Sequence, residues 1–374
     1  MLFSVDNGGN GMSFGNVNVN IVLSGGGIKG LAFIGAYEEL ENNFKSIGNI
    51  AGVSAGALVG ALIAAGYSSR ELKSILSDFS FSSFMVTESV LDRYIEQRVL
   101  EVNQKRGAGL EEFLLSQDAA PQMRSISRSN NEFQGNRGKF MANLIAYSKK
   151  NAFLNGEALE QWVRTLLNQK GINTFSDLRG GIADKVNPRG YKLRMTAVDA
   201  NLGKVIVLPD DIVYYNMDPD KLDVAKAVRM STCVPFVFAP VILTMQEHNH
   251  KKKHYIIDGG VLDNFPVWLI DSTQSNPIIG LKLEGKEPKE LSTAENILKK
   301  LISRSQDTGV PKEAYNIDNI AHINTGDISF LDFDITEEQM QFLYYQGKTA
   351  VHSLLSTMKN KNTPKRHTKR RFLK

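Results

Sequence analysis

The chain of 374 residues contains one cysteine, Cys233. That excludes an intramolecular disulfide and leaves no mark of an oxidising compartment. The N-terminal stretch MLFSVDNGGNGMSFGN has neither a basic region nor an apolar one. No Sec-type signal peptide is therefore expected, although export by another route stays open. A large charge surplus is missing too. The 44 Lys and Arg against 40 Asp and Glu leave a net charge of only +4, and no nucleic-acid partner is expected. Long hydrophobic runs are scarce. One, IAGVSAGALVGALIAAGY from Ile50 to Tyr67, approaches the length of a membrane span. It lacks flanking aromatic or Lys/Arg anchors, and its first residues have the look of a strand and turn, so it is read as a buried helix. With 42% apolar and 22% charged residues, the chain has the composition of a globular protein with a sizeable core. The expected location is cytoplasmic or peripheral to a membrane.

The modest charge is unevenly placed. The tail from Lys359 (KNKNTPKRHTKRRFLK) carries eight Lys and Arg and no acid. Its plain reading is a solvated end. Its sharper readings are contact with anionic lipid headgroups or with nucleic acid. Three segments follow: an N-terminal extension at 1–16, one large domain at 17–358, and the basic tail at 359–374. Within the domain, about Thr87 to Ala152 is polar and weakly periodic, and is read as an insertion that could cover a site.

The rest alternates strand and helix patterns. VNVNIVLS (17–24) reads as a strand, with a helix expected from about Ile28 to Asn42. A second strand is expected at Ile47 to Val53 and a second helix at Ala55 to Ala65, stopped by Gly66. Ser68 and Glu71 form a capping box for the next helix. Further helices are expected at 156–169, 222–230 and 336–358. Strands are expected at 191–199, 204–208, up to Asp258, and at 276–285. This order implies an α/β fold whose mostly parallel sheet is covered by helices.

Gly25, Gly27 and Gly30 fit G-x-G-x-x-G at the end of the first strand. A dinucleotide site would also need an acidic residue at the end of the second strand. That strand ends in AGVSAG, with no carboxylate, and no Walker A sequence is present. What does stand there is Gly52-Val53-Ser54-Ala55-Gly56, a G-x-S-x-G turn between a strand and an apolar helix. Such a turn holds a serine exposed at the carboxyl edge of a sheet. A serine that attacks an ester carbonyl creates an oxyanion, which needs backbone N–H donors. The glycine loop at Gly25, Gly26 and Gly27, on the neighbouring strand and before a helix, is suited to supply them. The base is expected from Asp258-Gly259-Gly260, again at a strand end. To act on a hydroxyl, its carboxylate must be partly desolvated and held near the serine.

Together these pieces resemble the patatin-like phospholipase family. The resemblance rests on SGGGIKG at 24–30, with Lys29 where the family has Arg or Lys, on GVSAG at 52–56 and on DGG at 258–260, in the family's order. It rests also on Arg229-Met230-Ser231 with Pro235, Phe238 and Pro240, and on TGDISFLDF at 325–333. Cys233 stands where a small residue is usual. The likeness covers roughly Val17 to Met358 apart from 87–152. It implies a three-layer α/β/α sandwich and hydrolysis of lipid acyl esters, of phospholipase A or lysophospholipase type, by a Ser–Asp dyad. By carry-over Ser54 is the nucleophile, Asp258 the base, and Gly25, Gly26 and Gly27 the oxyanion hole. Lys29, Gly30, Gly52, Gly56, Arg229, Ser231, Gly259 and Gly260 support them. No cofactor or metal is implied. The implied partners are an acyl lipid at a membrane surface and, as for some bacterial members, a protein activator.

Rival readings stay open at this point. Acyl transfer would use the same acyl-enzyme. A Ser–His–Asp triad could take His322, which follows Asp258, although AHINTG reads as a strand end. A non-catalytic lipid-binding protein would not need Ser54, Asp258 and the glycine loop together. His248, His250 and His254 form H-x-H-x-x-x-H around a run of lysines and are read as a solvated hairpin loop rather than a metal site. Asp218, Asp220 and Asp223 lack the glycine and final Glu of a calcium loop.

Overall fold

The structure is a computed structural model that describes residues 14–77, 154–235, 237–247, 250–271, 276–285, 317–330, 332 and 335–362. The expected insertion at 87–152 and residues 363–374 of the tail lie outside them. Eight strands are found among the described residues: β1 Asn18–Leu23, β2 Ser46–Val53, β3 Leu193–Asp199, β4 Lys204–Leu208, β5 Val241–Glu247, β6 His250–Asp258, β7 Ile278–Glu284 and β8 Ile320–Asn324. They form one sheet in the order β5-β6-β3-β2-β1-β7-β8, with β4 paired to β3 off that path. The central pairings β3-β2, β2-β1, β1-β7 and β7-β8 are parallel. The flank formed by β4, β5 and β6 is antiparallel. The sheet is thus mixed and mostly parallel, as the strand–helix alternation implied.

Strand β1 shows why the sheet is buried on both faces. Val19, Ile21 and Leu23 belong to the main core, whereas Val22 belongs to a second cluster with Ala51, Val267, Leu269 and Ile278. Successive strand residues point to opposite faces, so a strand with apolar residues in both registers needs cover on both sides. On the main-core side lie α1 (Ala32–Asn43), α2 (Ala55–Ala64), α3 (Ser69–Ser77), α4 (Gly156–Gln169), α5 (Val224–Ser231) and α6 (Glu337–Asn362). Across the sheet, the described cover includes the 3₁₀ turn Val267–Leu269.

Helix α1 begins later than its sequence pattern predicts. A 3₁₀ turn, Gly27–Leu31, comes first. Helices α1 and α6 then cross at two glycines. A Cβ on Gly35 would meet the Tyr344 carbonyl, and one on Gly347 would meet the Ala32 carbonyl. Only glycine permits that approach. The capping box before α3 forms as expected: Ser68 N–H donates to Glu71 Oε2 at 2.8 Å, and Glu71 N–H donates to Ser68 Oγ at 3.3 Å. The run from Ile50 is strand β2 followed by a ten-residue helix. Among the described residues no helix is long and apolar enough to cross a membrane.

Two boundaries shift. Phe14, assigned by sequence to the extension, is buried and stacks on Phe44 at 4.9 Å between ring centroids. At the other end, α6 runs on to Asn362. Lys359 donates to Asn43 Oδ1 at 3.2 Å, so the first turn of the basic tail packs against the domain.

Candidate active site

The carboxyl ends of β1 and β2 and the carboxyl end of the antiparallel β6 come to one level beside β3. Val53, the last residue of β2, pairs with Thr196 on β3. Asp258, the last residue of β6, stands opposite Ala197, the next residue of β3. Register alone therefore brings Ser54 and Asp258 to the same level, on strands that flank β3.

Ser54 is the residue between β2 and α2. Its backbone is at φ 54° and ψ −123°, a strained conformation for a residue with a side chain. Two contacts show how the chain holds it. The glycines on either side interlock, since a Cβ on Gly52 would come within 2.7 Å of the Gly56 carbonyl carbon. The Ser54 N–H donates to Ser231 Oγ at 3.0 Å, and that hydroxyl donates to the Thr196 carbonyl at 2.7 Å. Ser231, at the end of α5, thus ties the turn to β3. The Ser54 N–H is one of the orphan donors of α2, and it is satisfied here by a side chain from elsewhere in the fold.

Asp258 is buried. Its Oδ1 accepts from Gly260 N–H at 2.7 Å, while Oδ2 has no hydrogen-bond partner among the described residues. Burial pushes its carboxyl up to about 7 from an ordinary value of 3.8. The Ser54 hydroxyl and the Gly260 N–H act in the opposite direction and limit the rise. No direct hydrogen bond between the two side chains is closed in this conformation. Such bonds are commonly loose before substrate binds.

The glycine loop lies beside this pair. A Cβ placed on Gly25 would stand 3.3 Å from Ser54 Cβ, and one on Gly30 would stand 2.7 Å from Ala55 Cβ. The three expected donors differ. Gly25 N–H is already committed, donating to the Asn264 carbonyl at 3.1 Å. The expectation that all three amides serve as oxyanion donors thus meets a Gly25 N–H that is already engaged in this conformation. Gly26 and Gly27 N–H find no acceptor among the described residues. They open the turn that leads into α1, where orphan donors and positive potential coincide. The Phe330 carbonyl, from the TGDISF stretch, accepts from Ile28 N–H at 3.3 Å and backs the loop from the far side.

The remaining candidates separate. Gly259 packs on Thr196, where a Cβ would lie 2.6 Å from the carbonyl oxygen. Arg229 is placed between α4 and α5, donating to Glu160 Oε2 at 3.1 Å, and makes no hydrogen bond to Ser54 or Asp258. Lys29 is half-buried in the 3₁₀ turn. His322 is exposed on β8, 3.0 Å from Glu284, and three strands away from β2. His254 departs from the solvated-loop reading. It lies on an inward position of β6, fully buried, with Nδ1 2.6 Å from Asp199 Oδ2. That oxygen also accepts from the Tyr215 hydroxyl at 2.6 Å. His250 is exposed, and His248 lies outside the described residues. Asp218 and Asp223 cap helical turns, and Asp220 pairs with Arg179. Among the described residues no group of three or more His, Cys, Asp and Glu could hold a metal ion.

Asn264 was not evident from sequence. Six residues after Asp258, before Phe265 and Pro266, it reads as an ordinary turn residue. In the fold it reaches the glycine loop and lies between that loop and the turn after Asp258.

The chain is matched over residues 21–271 by the family model described as Patatin-like phospholipase. It is 29% identical to protein YqhO of Bacillus subtilis (strain 168) over 340 residues, covering 89% of this chain and 97% of that one. Among solved structures it is similar to VipD from Legionella pneumophila (17% identity, 95% of this chain, 70% of that chain, TM-score 0.49). It is also similar to ExoU-SpcU, a heterodimeric complex from the type III secretion system of Pseudomonas aeruginosa (18% identity, 93% of this chain, TM-score 0.39), where the match spans 53% of the solved chain.

Proposed function

This chain belongs to the patatin-like phospholipase family, and on that premise we propose that it hydrolyses fatty-acyl esters of membrane phospholipids through Ser54 and Asp258. At family level it is a lipid acyl hydrolase. The phospholipase A reaction and the residue roles are our reading. The observation that carries it is that strand register sets a strained, buried serine level with a buried carboxylate whose Oδ2 has no hydrogen-bond partner among the described residues.

The chemistry follows from that meeting. Ser54 Oγ attacks the ester carbonyl carbon while Asp258 Oδ2 takes its proton. A carboxyl with a pKa near 7 is a far better base than an ordinary one, yet remains half ionised at neutral pH. Gly26 and Gly27 N–H receive the oxyanion of the tetrahedral intermediate. Its collapse breaks the ester C–O bond, and the proton on Asp258 passes to the departing lysolipid oxygen. A water molecule then loses a proton to Asp258 and attacks the acyl-serine carbonyl. Collapse of this second intermediate releases the fatty acid and restores the Ser54 hydroxyl. No metal enters the scheme.

Fatty-acid release from mixed phospholipid vesicles is the test, with EDTA present throughout and wild type compared with Ser54→Ala and Asp258→Asn. The expected result is release by wild type alone. Release that survives Ser54→Ala refutes this assignment of the site.

A further inference from the structure

Resting on that reading, we propose that Asn264 is the positioning residue of the oxyanion loop, holding the peptide between Gly25 and Gly26 in its productive orientation. Two observations meet in this residue. Its carbonyl accepts from Gly25 N–H at 3.1 Å, and its side-chain Nδ2 donates to the Gly25 carbonyl at 3.5 Å. Both polar groups of Gly25 are thereby engaged by one partner. The Gly25 carbonyl also accepts from Ser24 Oγ at 3.1 Å, and that hydroxyl is itself oriented by accepting from Leu283 N–H at 3.0 Å.

The consequence follows from peptide geometry. The Gly25 carbonyl and the Gly26 N–H belong to one planar trans unit, in which they point in opposite directions. Tethering the carbonyl to Asn264 and Ser24 therefore turns the Gly26 N–H the other way, where no described residue accepts it. Rotating that unit by half a turn would present a carbonyl oxygen where the oxyanion must sit. Two consecutive glycines make such a rotation sterically cheap, so the productive orientation needs an external hold. Asn264 is well placed to give it. Its Oδ1 occupies the space a Cβ of Gly25 would take and lies 2.8 Å from that of Gly260. It is thus wedged between the oxyanion loop and the turn that carries Asp258.

Such a role differs from packing in its kinetic signature. A misoriented donor is felt in the transition state and not in substrate binding, so kcat falls while KM stays. Losing an oxyanion donor outright costs about 100- to 1000-fold. Loosening one should cost about 10- to 100-fold. The experiment compares wild type, Ser54→Ala, Ser24→Ala, Asn264→Ala and Asn264→Asp on a monomeric short-chain p-nitrophenyl ester, with melting temperatures recorded. We expect Asn264→Ala to lose about 10- to 100-fold in kcat, with KM within about twofold of wild type and no loss of cooperative melting. Ser24→Ala should lose less in the same manner. Asn264→Asp should be worse than Asn264→Ala, because it removes the donor and sets a negative charge beside the developing oxyanion. A packing role predicts the reverse order, since Asp is nearly isosteric with Asn. An Asn264→Ala enzyme with kcat within twofold of wild type overturns the proposal, as does Asn264→Asp exceeding Asn264→Ala. Wild-type activity in Ser54→Ala overturns the serine assignment itself, and the positioning role with it.

Discussion

Replacing Asp258 by Asn should abolish activity and at the same time stabilise the protein, with a pH dependence that can be worked out in advance. Burial raises the folded carboxyl from 3.8 to about 7. Below pH 3.8 the group is neutral in both states and costs nothing. As pH rises from there to about 7, the unfolded chain ionises and the folded chain does not. The folded state then holds more protons, so stability falls with rising pH across this window. Above about 7 both states are ionised and the full penalty is present. A shift of roughly three units corresponds to about 4 kcal/mol, as an order of magnitude. Between pH 5 and pH 8 the change is about 2–3 kcal/mol. Asparagine has no such titration and keeps an oxygen for the Gly260 N–H. Urea unfolding of both proteins at pH 5 and pH 8 isolates the effect, because every other titrating group cancels in the comparison. The advantage of the Asn variant should grow by about 2–3 kcal/mol over that interval. The kcat/KM of wild type should rise through the same region, tenfold per pH unit below about 7. A stability difference that stays constant from pH 5 to 8 would refute the claim that Asp258 is a buried titrating base.

Two further substitutions probe the surroundings of the serine. Ser231→Ala removes the acceptor of the Ser54 N–H and the donor to Thr196. It should lower stability by about 1–3 kcal/mol and reduce kcat, as seen by thermal melting and steady-state kinetics. His322→Ala should leave fatty-acid release within twofold of wild type, since His322 is exposed on β8 and paired with Glu284. A loss of several orders of magnitude would instead revive the triad.

What the sequence could convey depended on how local each feature is. The G-x-S-x-G turn was legible because the strained φ of Ser54 and the interlocking of Gly52 with Gly56 are settled within five residues. The capping box at Ser68 and Glu71 was legible for the same reason. The mostly parallel sheet followed from the alternation of elements, and the hairpin near His248 was expected, but not that β5 and β6 pair through its lysine run, because no local motif sets that register. His254 shows the cost. In a run of lysines it reads as solvent-facing, yet strand alternation turns it inward to meet Asp199, 55 positions earlier.

The oxyanion donors illustrate the same limit at the site itself. Gly25, Gly26 and Gly27 are identical in sequence, and nothing local says which amide stays free. Gly26 and Gly27 N–H find no acceptor among the described residues, while Gly25 is engaged by Asn264, 239 positions away in the chain. That residue reaches the loop only because β6 lies beside β3 and ends level with β2. The Asn264 carbonyl, six residues past the end of β6, engages the Gly25 amide, and the side chain of the same residue donates to the Gly25 carbonyl, whose peptide carries the next amide. The glycine motif therefore specifies a loop of backbone donors beside the serine. On the proposed mechanism, the tertiary fold selects which of those amides receive the oxyanion.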